Sequence, residues 1–289
     1  MSNIPFTLGD IEIHWLGGGG FRLDGGAMFG AVPKVLWQKV YPADSENTIP
    51  LCNDPLLLKT KEDLIVIDTG LGNKLSKKLQ NIYKVGRQWN LPARLESLGY
   101  GREDVTQVIL THCDFDHAGG IEMVEENGTI GLTFPAATHF IQEKEWQDVE
   151  KPHRRAESTY FPENFALLCK KGKLELINGN KEVSSGVMLF YTGGHTRGHQ
   201  IVEIRSNGSV GVHLGDLLPT HVHNHPLWTM SYDNFPLEVI DRKSELLEKY
   251  TDMKSWFFLY HDPFVRACRF DGDFKVKEKW QAGKQESLI

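Results

Sequence analysis

The sequence predicts an α/β fold with a two-layered sheet core and helices outside. Three observations carry this. Short apolar runs of strand length alternate with amphipathic segments of helical character. This succession recurs twice around strand-end loops that carry His and Asp. No internal repeat or low-complexity linker divides the 289 residues. One domain over 1–289 is expected, with the stretch 16–50 as a flap or dimer arm.

In chain order, Phe6 to Trp15 alternates and reads as a first strand, broken by Gly17-Gly18-Gly19-Gly20. These glycines lack the spacing and following helix of a nucleotide loop. Gly25 to Lys34 is a glycine-rich loop with apolar side chains. It is either an ordinary connection or a flap over a pocket carrying Met28, Phe29 and Trp37. Leu56-Leu57-Leu58 and Leu64-Ile65-Val66-Ile67 form a hairpin that ends at Asp68. Lys74 to Leu98 is helical in character, interrupted by Pro92, and Val105 to Leu110 is the next strand. Further on, Thr133 to Phe140 reads as a strand, Gln142 to Val149 as a helix, and Lys151 to Glu163 as a polar surface excursion. Lys173 to Ile177, Val187 to Tyr191, Gln200 to Ile204 and Val210 to Leu214 read as strands of a second sheet. Leu237 to Met253 is an amphipathic helix, and Trp256 to Tyr260 a last strand ending at His261.

Composition narrows the function. An apolar share of 40% supports a large core, and a formal net charge of −6 disfavours bulk binding to nucleic acid or anionic lipid. The four cysteines are widely spaced with no CxxC, so a reduced cytoplasmic protein is expected. Met1 to Asp10 lacks the basic region and apolar run of a secretory signal, and no run has the length of a membrane span.

The chemistry concentrates in Thr111-His112-Cys113-Asp114-Phe115-Asp116-His117-Ala118-Gly119-Gly120, which follows a strand and is expected to start a helix near Ala118. A single His-X-Asp would be a capped turn. Two imidazoles and two carboxylates under apolar flanks need a compensating positive charge, which a divalent cation supplies. Cys113 alternates away from its neighbours and reads as packing. Three more strand-end loops carry His or Asp: Thr192 to His199 with His195 and His199, Leu214 to Leu217 with Asp216, and His261-Asp262-Pro263. Asp68, also at a strand end, could orient a metal-bound histidine from behind. His213 reads as a core or supporting residue.

This ordered set resembles the metallo-β-lactamase superfamily: a His-X-His-X-Asp-His loop, a Gly-His-Thr-X-Gly-His loop, a Gly-Asp and a final His. The resemblance runs from about Phe6 to Pro263. It implies an αββα sandwich and two divalent metal ions. It matches His112 and His195 to ligands of the first metal, Asp116, His117 and His261 to ligands of the second, Asp216 to the bridging carboxylate, and His199 to a structural histidine. Asp114 stands where the common pattern has its second histidine, and is expected to ligate the first metal. With Asp116 and Asp216 it makes three carboxylates, which with a bridging hydroxide would neutralise the four charges of two divalent ions. Zinc is the first expectation, with Mn2+ or Fe2+ compatible with the added oxygen ligand.

A binuclear centre with a bridging hydroxide suits hydrolysis, with Asp116 relaying a proton. The stretch after Asp216, containing His221, Trp228, Met230 and Tyr232, reads as a pocket wall, joined by Phe29 and Trp37 from the flap. These stretches resemble the branch of N-acyl-homoserine lactonases and methyl-parathion-hydrolase-type phosphotriesterases. That implies opening of a lactone ring on a small-molecule substrate and a homodimer through the N-terminal arm. Phosphotriester or aryl-ester hydrolysis is the alternative, and a non-catalytic metal-binding scaffold a further one.

Overall fold

The computed structural model describes residues 4–280. The two ends of the expected 1–289 unit, residues 1–3 and 281–289, lie outside the described residues. In chain order the strands are β1 (Phe6–Leu8), β2 (Ile11–Trp15), β3 (Gly20–Asp24), β4 (Thr48–Cys52), β5 (Leu56–Lys59), β6 (Leu64–Ile67), β7 (Gln107–Ile109), β8 (Glu122–Val124), β9 (Ile130–Leu132), β10 (Thr138–Gln142), β11 (Leu174–Ile177), β12 (Lys181–Ser184), β13 (Val187–Tyr191), β14 (Gln200–Ser206), β15 (Ser209–His213), β16 (Trp256–Phe258), β17 (Ala267–Phe270) and β18 (Val276–Trp280). The α-helices are α1 (Gly25–Phe29), α2 (Lys34–Trp37), α3 (Lys77–Ile82), α4 (Leu91–Glu96), α5 (Phe115–Ala118), α6 (Glu143–Glu150), α7 (Ala166–Lys170) and α8 (Pro236–Asp252).

Two seven-stranded mixed sheets form the centre, in the orders β1-β2-β5-β6-β7-β10-β11 and β12-β13-β14-β15-β16-β17-β18. Strand periodicity sorts the apolar residues. Leu56, Leu58, Ile65, Ile67 and Ile109 face inward against Val187, Leu189, Val202, Ile204 and Phe258 of the other sheet. The alternate residues Leu57, Val66 and Val108 face outward against Leu91 and Leu95 of α4, Val149 of α6 and Leu168 of α7. On the opposite outer face, Val212 and Phe257 pack on Val239, Leu247 and Tyr250 of α8. Each such side chain, fully buried, is worth about 1.5–3 kcal/mol relative to exposure. Strands covered on both faces read as continuous apolar runs, as β5 and β6 do. The architecture is the expected αββα sandwich.

Several local expectations differ. The first strand is a hairpin, β1 with β2, turned at Gly9, whose φ of 58° suits glycine. The Gly25 to Lys34 loop contains one short helix, α1, and ends where a second, α2, begins. Asp24 caps the first by accepting from Ala27 N at 2.8 Å. Pro92 lies in the first turn of α4 instead of interrupting a longer helix, since that position has no amide to lose. The helix near the histidine loop begins at Phe115 and ends at Ala118, so it carries Asp116 and His117 on its own turn. β11 joins the first sheet, parallel to β10, because α6 and α7 form the crossover that a parallel pair requires.

Candidate metal centre

The sheet topology brings the loops together. β6 and β7 are parallel neighbours in one sheet. In the other, β15 and β16 are parallel, and β13 lies antiparallel to β14, which lies antiparallel to β15. The loops after β6, β7, β13, β15 and β16 therefore open at matching strand ends. Gly193 and Gly194, at φ 65° and 90°, turn the chain sharply after β13 and deliver His195.

Seven side chains named from sequence meet there. Donor atoms of His112, Asp114 and His195 lie within 4.8 Å of one another, as do those of His112, His117 and Asp216, and those of Asp116, His117 and His261. Asp216 faces both sides. Its Oδ2 is 3.4 Å from His195 Nε2, while its Oδ1 is 3.3 Å from His117 Nε2 and 3.2 Å from His261 Nε2. Asp114 Oδ2 lies 3.4 Å from His195 Nε2 and 3.7 Å from His112 Nε2. Asp116 Oδ2 lies 3.6 Å from His261 Nε2.

The outer ring nitrogens are engaged elsewhere, which aims each Nε2 inward. His117 Nδ1 lies 2.9 Å from Asp68 Oδ2, His195 Nδ1 2.8 Å from Asp233 Oδ1, and His261 Nδ1 2.9 Å from the carbonyl of Cys52. Asp68 adopts φ 58° at the end of β6. From there it also accepts from Thr111 N at 2.7 Å and Thr111 Oγ1 at 2.8 Å. His199 Nε2 accepts from Asp216 N at 3.2 Å and so steadies that loop. His213 Nδ1 bonds the carbonyl of Phe258, and Cys113 is buried in the outer core.

Burial pulls the His117 imidazole down, but Asp216, Asp68 and Asp116 together overcome it and hold it well above its ordinary value. His195 is raised in the same way against burial, chiefly by Asp216, then by Asp114 and Asp233. His112 is held well below its ordinary value by burial, then by His117 and His195. Burial raises the Asp116 carboxyl. His112 Nε2 and Asp114 Oδ1 are buried with no hydrogen-bond partner among the described residues. Inward-facing nitrogens and carboxylate oxygens of this kind are the donor set of divalent metal sites, and the residues fit such ions.

A cavity of about 300 Å³ opens over these groups. Asp114, Asp116, His195, Asp216 and His261 form its floor, and Leu23, Met28, Leu51, Phe115 and Met230 supply apolar walls. Of the pocket residues expected from sequence, Met230 and Tyr232 line it. Phe29 and Trp37 do not: they are 0% and 1% exposed and stack on each other at 4.9 Å. His223 stacks on the other face of Phe29 at 4.7 Å, and Trp228 meets its edge. The flap's large apolar groups thus bury one another under the cavity wall. His221 is turned away by Asp262, whose Oδ2 accepts from His221 N at 2.8 Å and contacts its Nδ1.

Several contributors escaped the sequence reading. Asp233 closes the stretch read as a pocket wall but was given no role there, and Tyr83 lies in a stretch with no motif. The supposed surface excursion contributes Arg155, Ala156, Ser158 and Thr159 to the cavity. Arg155 holds it there, donating to Asn234 Oδ1 at 3.1 Å and to the carbonyl of Asp233 at 2.8 Å. Glu145, fully buried and raised to about 7 by burial, lies under the first loop and bonds Cys113 N, Thr196 Oγ1 and Gly198 N. An Asp following His261 was the one signal for the contact between Asp262 and His221.

An αββα sandwich with imidazoles and carboxylates gathered at one sheet edge defines a class of metal-site proteins. The chain belongs to the metallo-β-lactamase superfamily, whose family description matches residues 54–246. It is 30% identical over 169 residues to an N-acyl homoserine lactonase of Bacillus cereus, a match covering 53% of this chain and 59% of that one. It is 35% identical to a probable metal-dependent hydrolase from Staphylococcus aureus, with a TM-score of 0.91 over 98% of this chain and 100% of that one. It shares the fold of AidC, a dizinc quorum-quenching lactonase crystallised with a product, at TM-score 0.77, 22% identity and 98% coverage of both chains. No helix among the described residues is long and apolar enough to cross a membrane.

Proposed function

We propose that this chain is a metal-dependent hydrolase that opens the lactone ring of an N-acyl-homoserine lactone. The observation that supports it most is Asp216, whose two oxygens face separate imidazole sets beneath an open cavity. The relatives named as lactonases support the substrate class. His112, Asp114 and His195 would hold one divalent ion and Asp116, His117 and His261 a second, with Asp216 offering an oxygen to each. Zinc suits these ligands best, and manganese or iron(II) is compatible with the added carboxylate. Such ions, when bound, supply a water acidic enough to ionise near neutral pH and a Lewis acid for the carbonyl oxygen.

The protein's own groups do the rest. Asp68, Asp233 and the Cys52 carbonyl orient the imidazoles. Burial makes Asp116 a better proton acceptor than a free carboxylate, so its carboxylate can take a proton and return it to the leaving alkoxide. Leu23, Met28, Leu51 and Met230 exclude water and offer apolar contact to an acyl chain.

The reading extends to one catalytic unit over 1–289, a cytoplasmic location, and a homodimer through the N-terminal arm, where Val35, Leu36 and Val40 are exposed. The substrate class is tested by comparing kcat/KM for a six-carbon acyl lactone, an aryl ester and a phosphotriester. The lactone is expected to be fastest. A faster phosphotriester or aryl ester would overturn the assignment of a lactone.

A further inference from the structure

The cavity floor carries three carboxylates, and a substrate oxygen that gains negative charge needs donors from the walls. The side chains after Asp216 offer none: Leu217, Leu218 and Pro219 are apolar, and Thr220 is buried with its hydroxyl on His223. On the far wall, Thr159 Oγ1 donates to the carbonyl of Ala156 at 3.0 Å, and Ser158 is exposed at the rim. Arg155 donates through Nε to Asn234 and through Nη2 to the carbonyls of Ser231 and Asp233. Two phenols remain. Tyr83 and Tyr232 both line the cavity, and neither hydroxyl has a hydrogen-bond partner among the described residues.

The Tyr83 ring is held by stacking, and Tyr232, 40% exposed, sits on a backbone that its neighbours fix. Tyr83 ends α3, and the left-handed Lys84 that follows, at φ 47°, turns the chain so that the Tyr83 carbonyl accepts from Arg22 N at 2.9 Å. Its ring stacks on Phe115 at 4.5 Å with an interplanar angle of 19°. Phe115 lies between Asp114 and Asp116, so the stack sets the phenol beside the floor. The backbone at Tyr232 is fixed through its neighbours: Ser231 N donates to the carbonyl of Ala27 at 2.8 Å, and Met230 N donates to Asp233 Oδ2 at 2.8 Å. Burial raises both phenols, and Asp116 adds to both, so the two share one electrostatic neighbour.

We propose that the hydroxyls of Tyr83 and Tyr232 form a two-donor clamp on the reacting oxygen of the substrate, the carbonyl oxygen of a lactone as it becomes an oxyanion. The clamp names catalytic residues for the hydrolase proposed above and rests on that reading. Neutral phenols, kept protonated in the cavity, donate without adding charge to the floor. A hydroxyl that bonds more strongly to the developing anion than to the ground-state carbonyl acts on kcat more than on KM.

The test uses Tyr83→Phe, Tyr232→Phe and the double variant in metal-reconstituted full-length protein. Phenylalanine keeps the ring and its stack on Phe115, so metal content and Tm are expected to stay unchanged. Each single variant should lose roughly 10–100-fold in kcat on a lactone, and the double on the order of 1,000-fold, with KM little moved. A second readout does not need turnover: calorimetric binding of methylphosphonate, a tetrahedral oxyanion. The double variant should bind it roughly tenfold more weakly. Weakened binding with a wild-type protein that hydrolyses no lactone or ester would keep the clamp and remove the hydrolase reading. Unchanged methylphosphonate affinity in the double variant, or no measurable binding by the wild type, overturns the clamp whatever the rates do.

Discussion

Asp233 Oδ1 lies 2.8 Å from His195 Nδ1, and the same carboxylate's Oδ2 accepts from Met230 N at 2.8 Å. One fully buried acid thus orients an imidazole of the metal centre and folds the pocket wall. Asp233→Ala should lower metal affinity at the His195 side 10–100-fold, the usual cost of losing such a support. Competition with a graded chelator reads this. Unchanged affinity would mean that packing alone sets the ring.

Asp114 is the position where this chain departs from the common superfamily pattern. Its carboxylate reaches both His112 and His195. Asp114→Ala should drop the metal content from two ions per chain toward one and cut hydrolysis by more than about 100-fold, since an open ligand position weakens the ion that does the chemistry. Asp114→His should retain two ions. Metal analysis of the purified variants decides, and two ions in Asp114→Ala would remove Asp114 from the ligand set.

Lys243 is a buried amine under the same wall. It lies on α8, is 1% exposed, and donates to the carbonyls of Trp228 and His223 at 2.7 and 3.4 Å. Burial lowers it to about 8. An unfolded lysine titrates near 10.4, so between those values the unfolded state holds a proton that the folded state has released. Stability should therefore rise with pH across that window, by up to about 3 kcal/mol from this group. Denaturant titrations of wild type and Lys243→Met at pH 7.5 and 10 test it. The wild type should gain stability relative to the variant, and parallel curves would refute the assignment.

Val35, Leu36 and Val40 are 58%, 48% and 52% exposed on the N-terminal arm. If this face joins two copies, replacing all three with Ser should convert a dimer into a monomer in light scattering with the fold intact. A wild-type monomer at micromolar concentration would end that idea.

That these His and Asp loops would converge was legible because each follows an apolar strand and because His and Asp at strand ends have little else to do in such numbers. Asp68 was legible for the same reason. Asp233 was not, because its partner His195 is 38 residues away and only the folded chain brings them together. Phe29, Trp37 and Trp228 misled because a large aromatic looks the same in sequence whether it lines a cavity or fills the space beneath it. Arg155 and Thr159 were hidden in a polar stretch that resembles any surface loop. Their place over the floor comes from contacts to Asn234 and Phe115, which no periodicity signals. The strand β11 was assigned to the wrong sheet because an apolar run of four residues carries no record of its neighbour.

The most direct measurement is acid release from N-hexanoyl-homoserine lactone by protein that has been stripped with chelator and then titrated with zinc or manganese. Ring opening should be absent without metal and should rise with added ion until two are bound per chain, with the Asp216→Ala variant inactive throughout. Protein that holds two ions and leaves the lactone intact, or that hydrolyses it equally well after stripping, would contradict a metal-dependent lactonase.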